Sequence, residues 1–131
     1  MAKLGDYFQT ADWKTEKHVP VIECPDSVAS GEEFQIEVSV GKEVPHPNTT
    51  EHHIRWIQVF FQPSEERATY QLANLEFSAH GESVKGANEG PAYVAPAGTL
   101  TAKISQPGTI LTLSYCNIHG LWENSKDISL T

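Results

Sequence analysis

Polar and apolar residues alternate without a fault from Glu33 to Val40, so Phe34, Ile36, Val38 and Val40 share one face of a half-buried strand. The stretch Ile54 to Phe61 is richer in apolar and aromatic side chains and predicts a central strand covered on both faces. Shorter runs, each bounded by Gly, Pro, Asn or Ser, predict further strands at Val19–Glu23, Tyr70–Leu72, Leu75–Ala79, Thr99–Ser105, Thr109–Tyr115 and Asp127–Leu130. No internal window holds a helical period, and only Leu4, Tyr7 and Phe8 suit one amphipathic turn. Between Gly81 and Gly98 the glycines and prolines mark a long connection with an irregular strand near Tyr93 and Val94.

About seven short strands with turn signals between them, and no strand–helix alternation, predict an all-β fold. The expected architecture is an immunoglobulin-like antiparallel β-sandwich, with a barrel as the alternative. A chain of 131 residues, 39% hydrophobic and 20% charged, suits one domain with its own core. No run approaches the roughly 20 apolar residues that span a bilayer, and the first residues carry no apolar signal segment. A cytoplasmic protein with no membrane partner is the expectation. The net charge of −8 argues against a nucleic-acid surface built on phosphate contacts, so an anionic ligand must find a local positive spot. Cys24 and Cys116 are read as thiols, and Cys24, beside Pro25, as inert.

The candidate chemistry sits in three short segments. Glu16-Lys17-His18 precedes the first strand, Pro45-His46-Pro47 to Glu51-His52-His53 forms a proline-rich loop, and Cys116-Asn117-Ile118-His119 follows an apolar strand. A C-x-x-H pair beyond a strand can aim both side chains at one ion, although taken alone it is equally an ordinary polar turn. His46 and His52 are too far apart, and too close to proline, to be the i, i+4 pair of a helical zinc motif, so a stiff loop must present them. Four imidazoles and one thiolate exceed what a structural zinc takes, and the surplus favours iron. His53 and His80 are left out as ordinary loop histidines.

Glu16-Lys17-His18-Val19-Pro20-Val21-Ile22-Glu23, Gly41 to Ile54 with Pro45-His46-Pro47-Asn48-Thr49-Thr50-Glu51-His52-His53, and Leu113-Ser114-Tyr115-Cys116-Asn117-Ile118-His119-Gly120-Leu121-Trp122 together resemble the superoxide reductases of the neelaredoxin type. The resemblance covers nearly the whole chain. It implies one mononuclear iron in a single domain, residues 1–131, without the rubredoxin-like module of desulfoferrodoxins. The iron's equatorial nitrogens would come from His18, His46, His52 and His119, and its axial sulfur from Cys116.

The same resemblance assigns Glu16 to the sixth position in the oxidised state and Lys17 to the neighbourhood of the open position. It implies reduction of superoxide to hydrogen peroxide, an external donor such as rubredoxin, and a homo-oligomer, the tetramer. Backbone N–H groups of the Asn117–Gly120 turn are expected to donate to the sulfur. Leu121 and Trp122 are candidates for an apolar docking spot, though the indole also suits burial. Two other readings remain: an immunoglobulin-like module with a structural zinc at Cys116 and His119, and dismutation of superoxide at the same iron.

Overall fold

The computed structural model describes all 131 residues. Eight strands follow in chain order: β1 (Pro20–Glu23), β2 (Ser27–Val28), β3 (Phe34–Val40), β4 (Ile54–Pro63), β5 (Tyr70–Glu76), β6 (Ala97–Ala102), β7 (Gly108–Cys116) and β8 (Gly120–Leu130). They form two sheets, β1-β3-β6 and β2-β8-β7-β4-β5, in which every pairing is antiparallel except that of β2 with β8. This is the expected β-sandwich. The only helical turn is a 3-10 turn at Leu4–Tyr7.

The core is the interdigitated inner faces of the two sheets. Ile36 and Val38 of β3 meet Ile57 and Val59 of β4 and Ile110 of β7, all five fully buried. β3 alternates as its sequence predicts. β4 does not have the double cover expected of it. Its inward residues Ile57, Val59 and Phe61 alternate with half-exposed Trp56, Gln58, Phe60 and Gln62, because no further layer packs on that side. A bulge where β4 pairs with β7, between Ile54 and Trp56, lets Ile54 and Ile57 both face the core despite their odd spacing.

Two strands differ from the sequence expectation for physical reasons. β8 begins at Gly120 rather than near Asp127, because several of its residues toward β1 are polar and therefore show no apolar alternation. Asn124 donates to the Pro20 carbonyl and Lys126 to that of Cys24. β5 is one strand where two were expected, its register shifting at a bulge opposite Val59 and Phe60. The irregular segment near Tyr93 is a single bridge to His80.

Replacing Ile57, which has no exposed surface, by alanine leaves a void between the sheets. The expected cost is roughly 2–5 kcal/mol. It would be read as a lower denaturant midpoint at unchanged slope.

Candidate metal centre

Three connections meet at one end of the sandwich. A turn over Asp12–Glu16 leads into His18 just before β1; the loop from β3 to β4 carries His46 and His52; Cys116 ends β7 and His119 sits in the tight turn to β8. Gly41 opens the long loop at φ 93°, and a Cβ there would stand 2.7 Å from the backbone nitrogen of His46. Only glycine lets the chain fold back so closely on the segment that presents that imidazole. The turn closing on Gly120 places Cys116 and His119 together, and the His119 N–H donates to Cys116 Sγ at 3.3 Å, as the sequence predicts for this turn.

The donor atoms of His18, His52, Cys116 and His119 all lie within 4.8 Å of one another. His119 Nδ1 is the hub, 3.1 Å from His18 Nε2, 3.3 Å from His52 Nε2 and 3.8 Å from Cys116 Sγ. His46 stands edge-on to two of these rings, its centroid 4.9 Å from His18 and 4.8 Å from His52. Its Nδ1–H donates to the Pro47 carbonyl at 2.6 Å, which leaves Nε2 a bare lone pair, buried and without a partner. His18 is fixed the same way, its Nδ1–H on Glu16 Oε1 at 2.7 Å. Second contacts of this kind set the tautomer of metal-binding histidines.

This arrangement fits a cation. His119 Nδ1 faces three electron-rich neighbours and can share at most one proton among them, while donors about 2.1 Å from a common ion stand roughly 3 Å from one another. Burial holds His46 down to about 4 and lowers His18 and His52 as well, with the Lys17 charge adding to the effect at all three. Neutral imidazoles have their lone pairs free. Burial pulls the Glu16 carboxyl up, but the hydrogen bonds from the His18 N–H and ring outweigh it and the net shift is downward. Five donors of this kind suit a mononuclear iron.

The centre is buried on the Cys116 and His18 side and exposed at His119. Glu16, with 29% of its side chain exposed, rests on the back of the His18 ring. Half-buried Lys17 is near enough for its charge to act on His18, His46 and His52. His53 and His80 lie apart, both buried, their rings stacked at 3.5 Å and 5°. Cys24 and Cys116 are both free, and burial pushes the Cys24 thiol up.

Two residues tie the centre together in ways their chemistry did not announce. The Trp122 indole stacks on His18 at 4.9 Å and 14°, and its Nε1–H donates to the His119 carbonyl at 3.2 Å. Gln9 Nε2 donates to the same carbonyl at 2.9 Å. Trp122 was legible only as an aromatic beyond the turn, whereas Gln9 carries no signal because its partner is more than a hundred residues away.

In the metal-free chain, an imidazole whose folded pKa is lowered takes its proton later than the unfolded chain does. The unfolded state binds more protons between about 6.5 and about 4, so this contribution to stability is complete above 6.5 and is lost as pH falls through that window. The melting temperature of the metal-free chain should fall over this range, and His46→Gln should fall less steeply. Equal slopes would show that His46 titrates as in the unfolded chain.

The desulfoferrodoxin family model matches residues 10–125. Neelaredoxin of Megalodesulfovibrio gigas is 56% identical over 128 residues, covering 98% of both chains. Superoxide reductase of Pyrococcus furiosus is 50% identical over 121 residues, 92% of this chain and 95% of that one. The solved structure of superoxide reductase (neelaredoxin) from Archaeoglobus fulgidus in the reduced form superposes with a TM-score of 0.87 at 51% identity, covering 94% of this chain and 98% of that chain. A match over almost the full length, joined to a cluster of imidazoles and one thiol at the end of the sandwich, has one reading: the chain belongs to the desulfoferrodoxin family, in its neelaredoxin type of superoxide reductases.

Proposed function

We propose that this chain reduces superoxide to hydrogen peroxide at one iron held by nitrogens of His18, His46, His52 and His119 and by the sulfur of Cys116, with Glu16 an added ligand in the oxidised form. The observation that carries the reading is the convergence of the His18 and His52 Nε2 nitrogens and the Cys116 thiol on His119 Nδ1, with the partnerless Nε2 of His46 on a ring packed against His18 and His52. When bound, the iron supplies the electron as it passes from ferrous to ferric. Superoxide gains that electron and two protons to leave as hydrogen peroxide.

The protein's own residues do the rest. Lys17 offers the local positive charge that an acidic chain of net charge −8 otherwise lacks, and so draws in the anion. Glu16 holds the His18 ring by its Nδ1–H, and its partial exposure leaves it free to exchange that contact for another. The His119 N–H withdraws charge from the Cys116 sulfur and tunes its donor strength. Trp122 and Gln9 hold the His119 backbone, so the ring approaches the cluster in one orientation.

The reading extends to the chain's surroundings. Residues 1–131 act as a single iron-binding domain whose oxidised form is reduced again by a small external donor of the rubredoxin kind. The exposed Ile118 next to His119 supplies the apolar spot that a brief redox encounter needs, a role expected of Leu121 and Trp122 but better met here, since Trp122 is engaged with His18. Half-buried Trp56, Phe60, Leu111, Leu113 and Tyr115 on the outer face of the larger sheet support a homo-oligomer, the tetramer. Two free thiols support a cytoplasmic location; no helix is long and apolar enough to cross a membrane.

Protein carrying about one iron per chain should be pale when reduced and gain a visible sulfur-to-iron band on chemical oxidation, and Cys116→Ser should abolish that band. Bound zinc with a silent spectrum would replace this reading with the structural-zinc module. Consumption of superoxide that continues without any donor would favour dismutation.

Lys17→Ala should lower the second-order rate with superoxide by roughly tenfold, and rising salt should slow the unaltered protein. A rate indifferent to both would remove Lys17 from the mechanism. For Glu16→Ala the reduction step should persist while the spectrum of the oxidised form changes.

A further inference from the structure

Asn88 is the only non-glycine residue with a left-handed backbone, φ 63°, and it lies in the glycine-rich connection between β5 and β6, remote in sequence from every residue of the centre. An outlier of this kind persists where surrounding contacts fix it, and asparagine tolerates it better than most side chains. The contacts that fix Asn88 run to the loop that carries His52. Its Oδ1 accepts the Thr50 N–H at 2.9 Å, its Nδ2 donates to both carboxylate oxygens of Glu51 at 3.0 Å, and its own N–H donates to Thr50 Oγ1 at 3.0 Å. The Thr50 hydroxyl in turn donates to the His80 carbonyl at 2.7 Å, which anchors the pair to the chain beyond β5.

Asn117 clasps His52 from both sides. Its Nδ2 donates to the Glu51 carbonyl at 2.9 Å and its Oδ1 accepts the His53 N–H at 2.9 Å. Both peptide units that flank His52 are therefore held by Asn117, while Asn88, from a different connection, holds the Thr50 N–H and the Glu51 side chain that lead into them. His52 itself is only half-buried and hangs from a loop with no ladder of its own. We infer that Asn88 is a positioning residue for the iron centre, holding Thr50 and Glu51 so that His52 Nε2 stays within reach of the cluster.

The inference rests on His52 serving as a ligand, and the experiment separates the two. Asn88→Gly suits the left-handed backbone at least as well and keeps the main-chain bond to Thr50, so it removes only the carboxamide. Iron-loaded Asn88→Gly should release iron to a chelator about tenfold faster than the unaltered protein, with a displaced visible band in the oxidised form. Asn88→Asp should do the same, because a carboxylate then faces Glu51, and Glu51→Gln added to it should restore slow release by supplying a donor once more.

His52→Ala is the reference. If it alters band and release while Asn88→Gly alters neither, Asn88 has no positioning role. If His52→Ala itself changes nothing, His52 is not a ligand and the inference falls with that reading. Fast release in Asn88→Asp that Glu51→Gln fails to slow would also overturn the inference.

Discussion

The constraint on which the rest of the molecule depends is the crowding at His119 Nδ1. Two imidazole nitrogens and a thiol sulfur lie within 3.8 Å of it, and without a cation these lone pairs repel one another with at most one shared proton to relieve them. Such a cluster has to be built from rigid parts, because the free chain would spread it apart. The parts are the start of β1 in one sheet and, in the other, the ends of β4, β7 and β8, where the Cα partners Ile54, Cys116 and Gly120 run straight across. The core of buried Ile, Val and Phe between the sheets therefore serves the site indirectly. It makes three separate connections end at one place, with four donor atoms within 4.8 Å of one another.

Each imidazole is also steered by contacts from outside the cluster. Glu16 and Pro47 take the outward N–H of His18 and His46, Trp122 and Gln9 hold the His119 carbonyl, Asn117 clasps the peptide units on both sides of His52, and Asn88 holds Thr50 and Glu51 before it. The division of labour follows exposure. Buried His18 is held by Glu16 at its N–H and its ring, by a stacked indole and by the packing around it. Half-buried His52 and exposed His119 lack that packing and are held through their backbone instead, His52 by Thr49 and His119 by Gln9 and Trp122. An open side is unavoidable where a small anion must enter, and backbone hydrogen bonding substitutes there for the packing that solvent access removes.

The sequence made the donors legible because imidazole and thiol are rare and, His80 and Cys24 apart, fall in three short segments bounded by strand signals. It made β3 legible because one face of that strand is apolar and the other polar. The first half of β8 was illegible for the opposite reason. Asn124 and Lys126 spend their polar groups on the carbonyls of Pro20 and Cys24, so residues turned toward a neighbouring strand look like solvated ones. The double cover expected for β4 failed because aromatic and aliphatic side chains at Trp56 and Phe60 do not reveal whether another layer exists to cover them. Gln9 and Asn88 could not be found at all, since a lone carboxamide acquires its role only from a backbone brought to it by the fold.

The electrostatics of the centre follow from the same economy. A net charge of −8 would by itself turn an anion away, and the nearest carboxylate to the site, Glu16, would add to the repulsion. Its charge is instead engaged by the His18 N–H and ring, while the neighbouring ammonium of Lys17 is left without a carboxylate within ion-pair distance. Adjacent residues of opposite sign thus present opposite faces. The carboxylate is turned onto His18, whose ring it orients, and the ammonium remains unpaired. Exchanging the order of Glu16 and Lys17 would keep the composition and the net charge yet lose both functions, because only a side chain two positions before His18 makes the contacts with its N–H and its ring that Glu16 makes.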